Sequence, residues 1–221
     1  MASARISRLP VPPASDARLL DDYRFHSLLP DEEWGRLPVA IWRRFSKRLA
    51  DGKTIVYVGE VEEARFSRVG WWVAQIARVI GGPLPIGSDT GVPMIVTVTE
   101  DAASGGQIWT RICARRHGFP QVIHSAKRFA GPTGLEEYVG FGVSMGLRIS
   151  VEHEALCFRS TGYSLQLGRF RLPLPEWLTP GDLTVIHSDL GGGTFRFTLD
   201  IIHPRFGILV RQSALFREAS S

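Results

Sequence analysis

The chain has 221 residues, 44% of them apolar and 22% charged, and a net charge of +4. That balance is ordinary for a globular protein and excludes disorder of the whole chain, and the length allows a core that needs no disulfide or metal staple. Of the 26 cationic residues only Lys47, Lys53 and Lys127 are lysines; the arginines are scattered, which reads as codon usage in a GC-rich genome and not as a nucleic-acid surface.

Residues 1–20, "MASARISRLPVPPASDARLL", have no apolar core of a secretory signal and are rich in Pro, Ser and Ala. They read as a disordered arm ahead of a single antiparallel β-rich domain over 21–221. In "DEEWGRLPVAIWRRFSKRL", Asp31 is placed to cap a helical turn and Pro38 to open a second helix. Ile41, Trp42, Phe45 and Leu49 fall at helical spacing as an apolar stripe, and Arg43, Arg44, Lys47 and Arg48 fall on a solvated basic face. "KTIVYVGEVEEARF" reads as a strand, with Glu60 and Glu62 on one face. Ser67 then caps a helix running to Ile80, whose buried stripe is Val69, Trp72, Val73, Ile76 and Ile80; Gly81, Gly82 and Pro83 stop it. The apolar run at 69–82 is too short to cross a membrane and carries Gln75 and Arg78. With neither span nor signal, the expected location is the cytoplasm.

From residue 93 the pattern changes to period two. "PMIVTVTE", "QIWTRICAR", "QVIHSAKRF", "LEEYVGFGV", "LRISVEHE" and "ALCFRSTGYSL" follow one another with short breaks. A proline-rich crossing segment leads to three more strands separated by "GGG" and "HPRFG". Nine or ten strands with no later long helix exclude parallel βαβ units. The expected fold class is α+β: a mainly antiparallel, strongly curved sheet or barrel with two N-terminal helical segments and one packed helix.

The stretch "GQIWTRICARRHGFPQVIHSAKRF", 106–129, concentrates polar chemistry. A hairpin turning near Gly118 would set Arg111 opposite His124 and Cys113 opposite Val122, gathering Trp109, Arg111, Cys113 and His124 on one face. If that face points inward, the Arg111 guanidinium needs a partner, and Glu137 or the charge of a ligand would supply it. Cys113 and Cys157 match no metal-ligand spacing and read as reduced, buried thiols. The six histidines are dispersed, and no nucleophile elbow, phosphate loop or HExxH is present. No catalytic residue, metal or cofactor is therefore assigned. His203 either caps the last turn or points into a barrel mouth.

Taken in order, "WTR" (109–111), Ser125, "EYVG" (137–140), "LPLPEWLTP" (172–180), "FRFTLDIIHPRFG" (195–207) and "LV" (209–210) resemble a bacterial family catalogued as domain of unknown function 4166. The resemblance runs from about Leu29 to Phe216. It implies a domain that occurs alone or after a saccharopine-dehydrogenase-like dinucleotide-binding domain, so a reductase partner would here act in trans. It marks Trp109, Arg111, Ser125, Glu137 and His203 as the positions keeping the family's polar pattern. Where that pattern usually has an aromatic and a glycine after the last "LV", this chain has Gln212 and Ala214.

Three functions are carried forward. The first is a non-enzymatic module holding a small apolar or amphipathic, lipid-like molecule in a barrel, with Arg111 on an anionic head group and Ser125 and His203 orienting it. The second is an accessory domain for a dinucleotide-dependent reductase. The third is a pocket enzyme with Glu137 or His124 as general base.

Overall fold

The computed structural model describes residues 22–47, 49 and 53–219. The proposed N-terminal arm lies outside the described residues, as does Arg48. Eleven strands make one sheet: β1 Thr54–Phe66, β2 Pro93–Asp101, β3 Gly106–Cys113, β4 Gln121–Arg128, β5 Glu136–Gly140, β6 Val143–Glu152, β7 Ala155–Leu167, β8 Phe170–Pro173, β9 Asp182–Gly191, β10 Thr194–His203 and β11 Gly207–Glu218. Their order is β6-β5-β4-β3-β2-β1-β11-β10-β9-β7-β8. A further pairing of β6 with β7 closes ten of them into an antiparallel barrel, with β8 added outside on β7. Closure removes exposed sheet edges from the barrel wall. Among the described residues three short α-helices accompany it: α1 Asp31–Trp34, α2 Val39–Phe45 and α3 Arg68–Ala77. The molecule is thus a mainly β barrel, and the α+β description gives its helices too much weight.

Antiparallel closure sends successive connections to alternate ends. At one end lie the β2–β3, β4–β5, β6–β7 and β9–β10 connections, together with α2. At the other lie the β1–β2 connection, which contains α3, and the β3–β4, β5–β6, β7–β9 and β10–β11 connections.

Helix α2 seats its stripe as expected, with Ile41, Phe45 and the following Leu49 buried. Its start differs by one residue: Pro38 is the N-cap, and Asp31 is likewise the first residue of α1 behind Pro30. The basic face is not solvated throughout. Arg44 is drawn in between Asp189 (3.3 Å) and His187 and stacks 4.0 Å over the Phe195 ring, while Lys47 pairs with Glu218 at 2.6 Å.

Helix α3 begins as predicted, with Ser67 Oγ accepting from the Gly70 N–H at 2.9 Å, and ends in a 3-10 turn, Arg78–Ile80. Its predicted buried face holds at Val69 and Val73 but not at Trp72 and Ile76. Gly70 and Ala74 are buried with Val69, Val73 and Ala77 packed beside them, while Trp72 and Ile76 are exposed. The cause is distance. A Cβ on Gly70 would lie 2.0 Å from the Leu209 carbonyl oxygen, so only a small-residue face lets the helix come this close to β11.

Candidate functional site

The β3–β4 register decides what the barrel interior contains. Trp109 pairs with Ser125, Arg111 with Ile123, Thr110 with His124 and Cys113 with Gln121. This is one residue away from the expected register, and a one-residue slip turns every side chain over. The inward set on β4 is therefore Ile123, Ser125 and Lys127. His124 is exposed, bonded to Thr110 Oγ1 at 3.0 Å, and Val122 is exposed beside it. Cys113 is buried and free, its thiol pushed up to about 11 by burial, and since His124 faces outward no Cys113–His124 pair forms. Cys157 is likewise free and buried. The expected sharing of a face by Glu60 and Glu62 is broken by a bulge between Val61 and Glu63, and Glu62 turns to Arg196 at 2.7 Å.

Inside, four of the five residues singled out from the sequence meet. Arg111 Nη1 donates to Ser125 Oγ (3.0 Å), and Ser125 Oγ donates to Glu137 Oε1 (2.6 Å). Arg111 Nη2 approaches the same carboxylate oxygen at 3.5 Å. Lys127 Nζ takes the other oxygen at 3.1 Å and lies 4.7 Å over the Trp109 ring. Trp109 in turn donates its indole N–H to Gln107 Oε1 at 3.2 Å. The alternation explains this convergence: β4 presents Ser125 and Lys127 two apart, and Lys127 pairs with Glu137 of β5.

Lys127 is the member that sequence reasoning missed. The signal was its period-two spacing from Ser125, hidden because Val122, His124 and Ala126 make the more apolar alternate set. His203 is elsewhere. It sits at the β10–β11 turn, its Nδ1 accepting from the Arg205 N–H at 3.1 Å and its ring against Phe206. It takes the turn-capping role and does not meet the cluster.

The electrostatics follow from burial and pairing. Burial alone would raise the Glu137 carboxyl, but Lys127 and Arg111, with hydrogen bonds from Ser125 and Lys127, outweigh it and hold the group at about 2. Lys127 is pulled the other way: burial lowers its ammonium, and Glu137 opposes that. With all three ionised, two cations face one carboxylate.

The cluster borders a cavity of about 110 Å³. Its walls are otherwise largely apolar, with Met94, Val96, Phe158, Leu199 and Phe216 among them, and Gln212 and Ala214 of β11 also reach it. At the α3 end the wall is the segment Pro83–Pro85. Gln121 pins that segment with both halves of its amide, accepting from the Ile86 N–H (2.9 Å) and donating to the Leu84 carbonyl (2.8 Å). Gln121→Ala is expected to lower stability by about 1–2 kcal/mol, the net value of two such bonds. Hydrogen exchange of the Ile86 amide in the native state should rise with it, and unchanged exchange there would refute the clamp.

A second polar group, also unforeseen, lies towards α2. His187 is fully buried, 4.6 Å from the Phe197 ring, and its Nε2 is 3.3 Å from Arg44 Nη1. A guanidinium cannot accept a hydrogen bond, so Nε2 accepts and the ring is neutral. Burial, then the Arg44 charge, lowers its pKa to about 3.

Fold and site together define a class: a closed antiparallel barrel carrying a fixed group of interior charges beside a small apolar cavity. The chain belongs to the family described as Domain of unknown function (DUF4166), whose model matches residues 37–216. No curated protein and no solved structure matches it. Among the described residues no helix is long and apolar enough to cross a membrane.

Proposed function

We propose that this protein is a binding module for a small amphipathic anion, held in the barrel with its charged end on Arg111 and Lys127 and its short apolar part in the cavity. One observation carries this reading: two cations against a single carboxylate at the wall of an otherwise largely apolar space. An ion group built only for stability balances its charges, because an uncompensated buried charge is costly. Arg111 uses two of its N–H groups on Ser125 and Glu137, and a guanidinium has five. The rest suit a carboxylate or another planar anion.

The cavity volume limits the ligand. At about 110 Å³ it is of the same order as the roughly 150 Å³ cavity that holds benzene, which limits the buried part to a few carbons with the charged end at the wall. A short fatty-acid-like molecule fits this scale better than a two-chain lipid. Trp109 and Ser125 act through the cluster, Trp109 by lying under the Lys127 ammonium and Ser125 by linking Arg111 to Glu137. The pocket-enzyme reading loses support, since His124 faces outward and a carboxyl held near 2 is a poor proton acceptor.

Calorimetric titration with hexanoate, with hexanol as the uncharged control, tests the proposal. Hexanoate is expected to bind and hexanol not. Arg111→Ala should weaken binding roughly 10- to 100-fold, the value of one charged hydrogen bond. Equal binding of the two probes, or hexanoate binding indifferent to both Arg111→Ala and the cavity-filling Ala214→Leu, would overturn it.

A further inference from the structure

The two ends of the barrel differ in what they show to solvent. Each of the five connections at the α3 end carries an exposed aromatic ring: Trp72 (63% exposed), Phe119 (92%), Phe141 (74%), Trp177 (73%) and Phe206 (56%). Ile76 and Val79 extend the Trp72 stripe along α3 and the turn after it. At the opposite end, the connections 102–105, 129–135, 153–154 and 192–193 carry no exposed large apolar side chain; among the described residues only Tyr23, Val39 and Leu190 are exposed near them. Charge is just as uneven. The five α3-end connections, 67–92, 114–120, 141–142, 168–181 and 204–206, hold seven arginines against two carboxylates, Asp89 and Glu176. One of the seven, Arg171, is paired with Glu136.

We propose that the α3 end docks onto an anionic phospholipid bilayer, with the five aromatic-bearing connections entering the headgroup region and the arginines between them contacting lipid phosphates. Exposed apolar patches of this extent mark interaction sites. Tryptophan and arginine side by side suit the membrane–water boundary, where the ring is half-immersed and the cation meets negative surface potential. The surface is a set of separate protruding rings around a barrel end, which matches a planar fluid partner. A second copy of the chain would bring one arginine-rich face against another, and like charges oppose that contact. Arg78, Phe119 and Val122 also border one open depression between α3 and the β3–β4 connection, so the patch is continuous there. The cavity wall at Pro83–Pro85 follows directly on this helix, and docking would turn it towards the lipid. The proposal stands whether or not the cavity binds an anion.

Flotation of the full chain with vesicles decides it, using phosphatidylcholine alone and phosphatidylcholine mixed with phosphatidylglycerol. The protein is expected to float with the mixed vesicles, and less as salt is raised. Arg78→Ala and Arg115→Ala should each weaken binding roughly fivefold. The double variant Trp72→Ser/Ile76→Ser should abolish flotation while leaving the midpoint of urea unfolding unchanged, which separates a lost surface from a lost fold. No flotation with the mixed vesicles, or flotation equal across all variants, would overturn the proposal. So would self-association of the wild-type chain, or stable capture of a protein partner, that the Trp72→Ser/Ile76→Ser variant removes.

Discussion

Glu137→Ala is expected to destabilise the protein by about 3–5 kcal/mol at neutral pH, the cost of removing one partner from a buried ion group. Among the described residues Glu137 is the one carboxylate in contact with Lys127 and Arg111, at 3.1 and 3.5 Å. Without it the Lys127 ammonium would remain against Trp109 and Phe158 with no opposite charge, and burial already lowers its pKa. The amine would then release its proton instead of staying charged. The double variant Lys127→Met/Glu137→Leu should recover most of the loss, since it removes the stranded cation together with its counter-ion. Urea unfolding of wild type, Glu137→Ala, Lys127→Met, Glu137→Leu and the double variant measures both the loss and the coupling. A cost for Glu137→Ala below about 1 kcal/mol would mean that water already reaches the cluster and screens it. The same variant bears on ligand binding. An anion bound beside Arg111 would stand in for the missing carboxylate, so hexanoate should raise the unfolding temperature of Glu137→Ala more than that of wild type.

Much of this site could be read from the residues, and the reasons for the failures are physical. Period-two patterning located the strands because a half-buried sheet needs it, and the apolar neighbours of Arg111 pointed to an inward guanidinium whose partner would be Glu137 or a ligand's charge. The register of β4 was not legible. Both of its alternate sets are mixed, and hydropathy favours the set with Val122 and Ala126, whereas the barrel selects the set that lets Lys127 and Ser125 reach Glu137. Nor was the buried face of α3. A hydrophobic stripe at Trp72 and Ile76 normally marks the core, but here the approach of Gly70 to the Leu209 backbone fixes which side faces in. Both misreadings share a cause: local pattern reports how apolar a face is, and only tertiary distances say which face is wanted. The proline-rich crossing segment 169–180 contributes β8, an added strand of four exposed residues whose closing Pro173 and the prolines after it masked the strand pattern.

The second large effect concerns acid. Unfolding free energy is expected to fall by roughly 3 kcal/mol between pH 7 and pH 4 on account of His187 alone. The sign follows from its folded pKa of about 3, below the ordinary 6.5. The unfolded chain takes up the proton first, so the stabilising contribution is complete above pH 6.5 and drains away as pH falls towards 3. Glu137 acts in a lower window: its carboxyl, held at about 2 against the ordinary 4.5, contributes fully above pH 4.5 and loses that contribution as pH falls to 2. The two groups can therefore be separated. His187→Leu keeps the ring site filled with an apolar side chain and leaves Arg44 its ion pair with Asp189 at 3.3 Å. Denaturant titrations at half-unit pH steps should show this variant nearly flat between pH 6.5 and 4.5, then falling below that through Glu137 and less steeply than wild type. A variant that keeps the wild-type slope above pH 4.5 would show that His187 protonates freely in the native state. That would mean the contact of its Nε2 with Arg44 does not hold the ring neutral.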